Sequence, residues 1–184
     1  PLPCYRPAAG RTYGRTGHKV SGRVGTNLDL HSAVGNAATM RCLGGIDEAG
    51  LGPILGPMVV AGCAFQGPDG TDLWQLLKTH VSRKRHDKHR IRVADSKKVN
   101  QGPHGLSRIE ATALCFWTVL TDQTPSTFGE WAGQLGIDTE QLKRCPWYER
   151  MDLPLPLSAD ADWIQLKAEL IRRQMQRSEV SMLT

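Results

Sequence analysis

The sequence predicts an α/β fold, with a strand pair first, helices after it and a further strand at the end. Three observations predict it. Two apolar, partly β-branched runs, Leu43–Ala49 and Met58–Phe65, flank the turn residues Gly50-Leu51-Gly52-Pro53 and Gly56-Pro57, the pattern of antiparallel strands joined by a short connection. Leu106, Ile109, Ala113, Phe116, Trp117 and Leu120 recur at three- and four-residue steps, the period of one helix face. A second long helical pattern, Asp160–Ser178, runs into Val180–Thr184, which reads as the opening of a strand.

Taken in order, residues 1–39 are rich in Gly, Arg, Thr, Ser and Asn and carry no helical or strand period, so a disordered leader is expected, with Met40 a candidate natural start. Residues 40–184 form the patterned domain. The strand pair is expected at the heart of a sheet, with Cys63 a small buried residue of the second strand. Residues 71–80 fit a short helix with Leu73, Leu76, Leu77 and His80 on one side. Residues 78–92 form a basic loop, and Ile91–Ala94 a brief extended piece. The helix at 105–121 is followed by a weaker one at 126–135 and another at 138–143, capped by Asp138 or Thr139. Residues 145–157 are Pro-rich loop, and about 122–178 reads as a helical insertion. The last helix turns Trp163, Leu166, Leu170 and Ile171 inward. Trp74, Trp117 and Trp163 read as core, and Trp147 and Tyr148 as exposed contacts in a loop.

Composition narrows the function classes. The chain has 184 residues, 40% hydrophobic and 22% charged, enough for one folded domain. The longest apolar run, about residues 57–65, is far short of the ~20 residues of a membrane-spanning helix, and no secretory signal core is present. Five cysteines at wide spacing, with no Cys-x-x-Cys pair, read as reduced thiols of a cytoplasmic protein rather than as a disulfide or zinc framework. The net charge of +5 is concentrated. Residues 78–92 hold Lys78, Arg83, Lys84, Arg85, Lys88, Arg90 and Arg92 against Asp87 alone. Such a stripe reads as a polyanion contact or as a solvated loop. His80, His86 and His89 sit among these cations, which disfavours metal binding there.

The chemistry-bearing stretch is Gly45-Ile46-Asp47-Glu48-Ala49-Gly50-Leu51-Gly52-Pro53-Ile54-Leu55-Gly56-Pro57-Met58. Adjacent acids on a strand point to opposite faces. The inward one is costly unless it holds a metal or a partner. Hard oxygen ligands beside a glycine-lined groove could hold Mg²⁺ and a phosphodiester; a plain turn with two solvated acids is the other reading.

This stretch resembles the first motif of the type 2 ribonucleases H, in which Asp-Glu-x-Gly-Arg-Gly leads into Pro-x-x-Gly-Pro and an apolar strand. Val93-Ala94-Asp95-Ser96-Lys97-Lys98-Val99 is similar to that family's Asp-Ser-Lys segment, in the same order along the chain. The resemblance implies a ribonuclease H-like mixed sheet flanked by helices. It implies hydrolysis of the RNA strand of RNA–DNA hybrids with Mg²⁺ or Mn²⁺, and no membrane partner. By it, Asp47 and Glu48 are catalytic metal ligands, the first two of four carboxylates. Gly50, Leu51 and Gly52 lie against the strand beside the ribose 2′-hydroxyl, and Ser96 and Lys97 contact phosphate. Leu51 stands where the family has Arg and cannot pair with phosphate. The other two family carboxylates come from a later strand and the segment after it. Asp160 and Asp162 read instead as helix N-terminal acids. The chain is therefore expected to be an N-terminal part of the catalytic domain, incomplete at its C-terminus and inactive alone. A non-catalytic nucleic-acid-binding protein that retains the fold is the alternative.

Overall fold

The computed structural model describes residues 39–49, 59–85 and 87–183. The leader expectation, for residues 1–38, lies outside them, as do Gly50, Leu51, Gly52 and the rest of the connection between the first two strands. Strand β1 is Met40–Ala49 and β2 is Val59–Pro68. They pair antiparallel in the register Leu43↔Phe65, Asp47↔Ala61 and Glu48↔Val60. Ser181–Leu183 forms β5, which adds to the other edge of β2 with Phe65 opposite Met182. The sheet order is thus β1-β2-β5.

The expectation that both strands sit at the heart of a sheet holds for β2 only. β1 is an edge strand and its described side chains are exposed, Ile46 at 81%. β2 is exposed over its first five residues too, so Cys63 is exposed rather than buried. The reason is topological. Only the last residues of β2 meet β5 and the body of the protein; the remainder pairs with β1 alone. At that junction Gly67 is buried, and a Cβ there would lie 2.8 Å from Val180 Cγ2.

Helix α1 spans only Leu73–Leu76, shorter than the 71–80 pattern. Asp72 caps it by accepting from the backbone N–H of Trp74 and Gln75. It stops because the chain turns into β3, Val81–Ser82, which pairs in parallel with β4, Ile91–Arg92. Ile91 N–H donates to the His80 carbonyl and Val93 N–H to the Ser82 carbonyl. Helix α2, Ser96–Val99, leads to α3, Gly105–Thr121, α4, Phe128–Gln134, and α5, Thr139–Lys143. Asp138 caps α5, as expected from the sequence. A 3₁₀ turn at Pro146–Tyr148 precedes α6, Ala161–Arg177.

The core lies where α3 packs on α6. Leu114 and Cys115 of α3 meet Ile164, Ala168, Ile171 and Met175 of α6, with Leu77, Val81, Ile91 and Val180 around them. The α6 stripe steps by four, three and four residues, which keeps it on one face. Of the four residues expected inward, Ile171 is fully buried and Trp163 and Leu170 partly so, but Leu166 is 55% exposed. Leu166 lies two residues, about 200° of helix rotation, from Ile164 and so faces away. Buried Thr118 donates to the Leu114 carbonyl, and the Thr118 carbonyl accepts from Arg172 of α6 at 2.6 Å. Arg172 also pairs with Asp122 at 2.8 Å, so a cation of α6 closes the C-terminal end of α3.

Trp74 is not core. It is 39% exposed, with the Arg83 guanidinium 3.8 Å above its ring. Trp117 is half-buried against Trp131 and donates to Gln134. The Tyr148 ring stacks on Phe128. Among the described residues, no helix is long and apolar enough to cross a membrane.

Candidate functional site

Asp47 and Glu48 stand near the end of β1, both exposed. Asp47 Oδ1 accepts from the Glu48 backbone N–H at 3.0 Å, which fixes one carboxylate beside its neighbour. Neither side chain is in an ion pair among the described residues. The expectation that one acid faces inward fails because β1 is an edge with no layer over it among the described residues. Two open carboxylates are the right ligand type for Mg²⁺ or Mn²⁺, which take hard oxygens and commonly use one or two carboxylates plus phosphate and water. Among the described residues no group of three or more His, Cys, Asp or Glu side chains is assembled to hold a metal.

The second motif is a turn built around Asp95. Its carboxylate accepts from Lys97 N–H at 3.0 Å and Lys98 N–H at 3.3 Å, capping α2. Ser96 and Lys97 are exposed beside it, while Val99 is buried and anchors the turn's far end. Two arginines hold the turn from behind. Arg92 Nη2 donates to the Lys98 carbonyl at 2.9 Å, and Arg108 Nε to the Val99 carbonyl at 3.2 Å. Arg108 Nη2 also donates to Gln101. Gly105 makes the close return possible, since a Cβ there would lie 2.5 Å from the Asn100 carbonyl oxygen. No hydrogen bond joins this turn to Asp47 or Glu48 among the described residues. β1 packs chiefly on β2, and α2 on α3.

The basic stripe is partly structural. Arg83 stacks on Trp74. Arg90 pairs with Asp87 through Nε at 2.6 Å and donates through Nη1 to the Lys78 carbonyl. Arg92 is buried. Lys78, Lys84, Arg85 and Lys88 remain exposed. Desolvation pushes the Asp87 carboxyl up, but hydrogen bonds from Arg90, His89 N–H and Ser82, with the Arg90 charge, outweigh it and bring it down to about 2. His80, beside the stripe, is lowered by burial and by the Lys167 charge.

Arg108 and Glu110 escaped the sequence reading, and Arg92 was read only as one more cation of the basic loop. Arg92 had a signal: a lone cation between Ile91 and Val93 in an extended piece. Glu110 had less, being one acid on a helix. Its carboxylate accepts from the backbone N–H groups of Leu157, Ser158 (2.7 Å) and Ala159 (2.9 Å), fastening the loop before α6 to α3.

A mixed α/β chain with an antiparallel sheet and six described α-helices is compatible with a ribonuclease H-like fold. Residues 44–114 match the family model described as Ribonuclease HII, which supports the resemblance of this stretch to the type 2 ribonucleases H. Both motifs, the capped turn and the first half of α3 lie inside it; α4, α5, α6 and β5 lie beyond it. Nothing matches among the curated proteins or among the solved structures. The match supports a ribonuclease-type hydrolase at family level; that family acts on nucleic acid and in general depends on divalent metals.

Proposed function

We propose that this chain carries the first part of the site with which a type 2 ribonuclease H cuts the RNA strand of an RNA–DNA hybrid. The observation that carries the reading is the family match across both motifs, with Asp47 and Glu48 open on β1. Asp47 and Glu48 hold the divalent ion, and Gly50, Leu51 and Gly52 lie along the substrate strand. The Ser96 hydroxyl and the Lys97 ammonium bind phosphate from the rim of the turn that Asp95 caps. Bound Mg²⁺ or Mn²⁺ supplies activation of water and neutralisation of the charge that develops on phosphate. The protein's own part is to fix the carboxylates and the phosphate.

Leu51 supports a substrate grip made by backbone rather than by an arginine. Two carboxylates with no third metal-binding side chain beside them among the described residues support binding without turnover by the 184-residue chain. The test is a filter or gel assay of RNA–DNA hybrid against DNA duplex of the same sequence, with and without Mg²⁺ or Mn²⁺. Hybrid affinity at least tenfold above duplex at 0.15 M salt, lost in Ser96→Ala/Lys97→Ala, is expected. Equal and weak affinity for both overturns the reading. Metal-dependent cleavage by the chain overturns the inactive-alone part and keeps the rest. A longer chain that carries further acids and still only binds would make the protein a non-catalytic binder.

A further inference from the structure

The Asp95 turn is too short to hold its own shape. Helix α2 is a single turn, Ser96–Val99. An isolated turn is unstable, because fixing its backbone costs more entropy than one hydrogen bond returns. Its last carbonyls also lack partners within the helix. Asp95 secures the N-terminal end. At the other end Arg108 takes the carbonyl of Val99, at 3.2 Å, and that of Gln101.

The way Arg108 is used sets it apart from the other cations. Among the described residues it is in no ion pair, and its guanidinium bonds only to main-chain oxygens of this turn. It stands in the first turn of α3, the helix that packs on α6 to form the core, so it ties the turn to the rigid part of the domain. Arg92 makes one bond to the same turn, but it is buried and its loss would disturb the core as well. Arg108 is half-buried. A planar guanidinium fork bridges two fixed carbonyls, which the point charge of a lysine ammonium does not.

We propose that Arg108 is a positioning residue for nucleic-acid binding: it holds the Asp95 turn on α3 in the shape that presents Ser96 and Lys97 together to phosphate, without touching the strand itself. The inference rests on the reading that Ser96 and Lys97 bind phosphate. It deepens that reading by making affinity depend on a residue behind the contact. A turn already ordered in the free protein costs less to order on binding, so loosening it weakens binding although no contact to the ligand is removed.

Arg108→Lys keeps the charge and removes the fork. RNA–DNA hybrid affinity is measured for wild type, Arg108→Lys, Ser96→Ala/Lys97→Ala and the triple variant, at about 0.05 M salt, where weak complexes stay measurable. Arg108→Lys should weaken binding at least fivefold in the wild-type background and less than twofold in the Ser96→Ala/Lys97→Ala background. Amide hydrogen exchange gives a readout without ligand. The N–H groups of Lys97 and Lys98 should exchange at least tenfold faster in Arg108→Lys, while that of buried Ile171 in α6 is unchanged. An equal loss in both backgrounds means that Arg108 contacts the strand or serves the whole fold, and overturns the proposal. Exchange at Ile171 that rises as much as at Lys97 overturns it too, as does unchanged exchange at Lys97 and Lys98. Wild type that binds hybrid no better than DNA duplex overturns the phosphate reading and this inference with it. Wild type that prefers hybrid, with Arg108→Lys binding equally well, overturns this inference alone.

Discussion

Changing Glu110 removes a carboxylate whose hydrogen bonds among the described residues all come from backbone N–H groups distant in sequence. The side chain is buried and accepts from three consecutive N–H groups, those of Leu157, Ser158 and Ala159. Bonds to an ionised acceptor contribute about 1.5–3 kcal/mol each when removed singly, and orphaned donors that regain water return part of that. Glu110→Gln keeps one carbonyl oxygen, loses the charge and sets an amide N–H₂ against a donor. We expect it to cost about 2 kcal/mol, and Glu110→Ala about 3–4 kcal/mol, with the added loss of packing. For a domain of this size, about 2–4 °C of Tm accompanies each kcal/mol, so the glutamine variant should melt about 4–8 °C lower. Urea titration followed by far-UV circular dichroism gives the free energy, and a thermal melt gives the shift. A loss below about 0.5 kcal/mol in both variants would mean the loop is held by something else and refute the reasoning.

Other expectations are independent of this one. Gly105→Ala drives a methyl into the Asn100 carbonyl and should cost about 1–3 kcal/mol by denaturant titration, whereas alanine at Gly133, where nothing lies within 4 Å, should be neutral or stabilising. The folded Asp87 carboxyl, at about 2, lies below the unfolded value near 4, so its stabilisation is complete above pH ~4 and lost as pH falls towards ~2. The Tm gap between wild type and Asp87→Asn should therefore be constant at neutral pH and close in that window; a gap that widens on acidification contradicts the assignment. Burial pushes the Cys115 thiol up to about 12 against an opposing pull from Lys167. A maleimide should label exposed Cys42 and Cys63 in the folded protein and reach Cys115 only after unfolding.

What the sequence disclosed was the periodic and the local. The extent of helix α3 was readable from its three- and four-residue apolar steps, but its inward face was not. Ile109, Ala113, Phe116, Trp117 and Leu120 are only half-buried and Leu106 is exposed, while Ala111, Leu114, Cys115, Thr118 and Val119 meet the core, because α6 packs on that side. The Asp138 cap was readable because it needs only its own next three residues. The paired strands and the start of β5 were readable from apolar runs and turn residues. What escaped depends on distant chain. Cys63 has the composition of a buried strand residue, but the layer that would bury it is not supplied by the described part of the fold. Leu166 lies on the helix face that α3 does not meet. Arg92 counted as one more cation of a basic loop, and only the pairing of β3 with β4 draws it inside. For the candidate site, the two motifs were legible from residue type and spacing, while the arginines behind the second motif were not, because their partners are carbonyls, which every residue has.

The manner in which the Asp95 turn is mounted has a consequence for how it can change. Arg92 and Arg108 grip main-chain oxygens of Lys98, Val99 and Gln101, and Asp95 grips main-chain nitrogens. None of these bonds involves the side chain of Ser96 or Lys97. The two rim positions behave as an interchangeable head on a rigid stem: their chemistry can be rewritten while the stem keeps its shape, so specificity at this rim can drift or be engineered with little effect on folding.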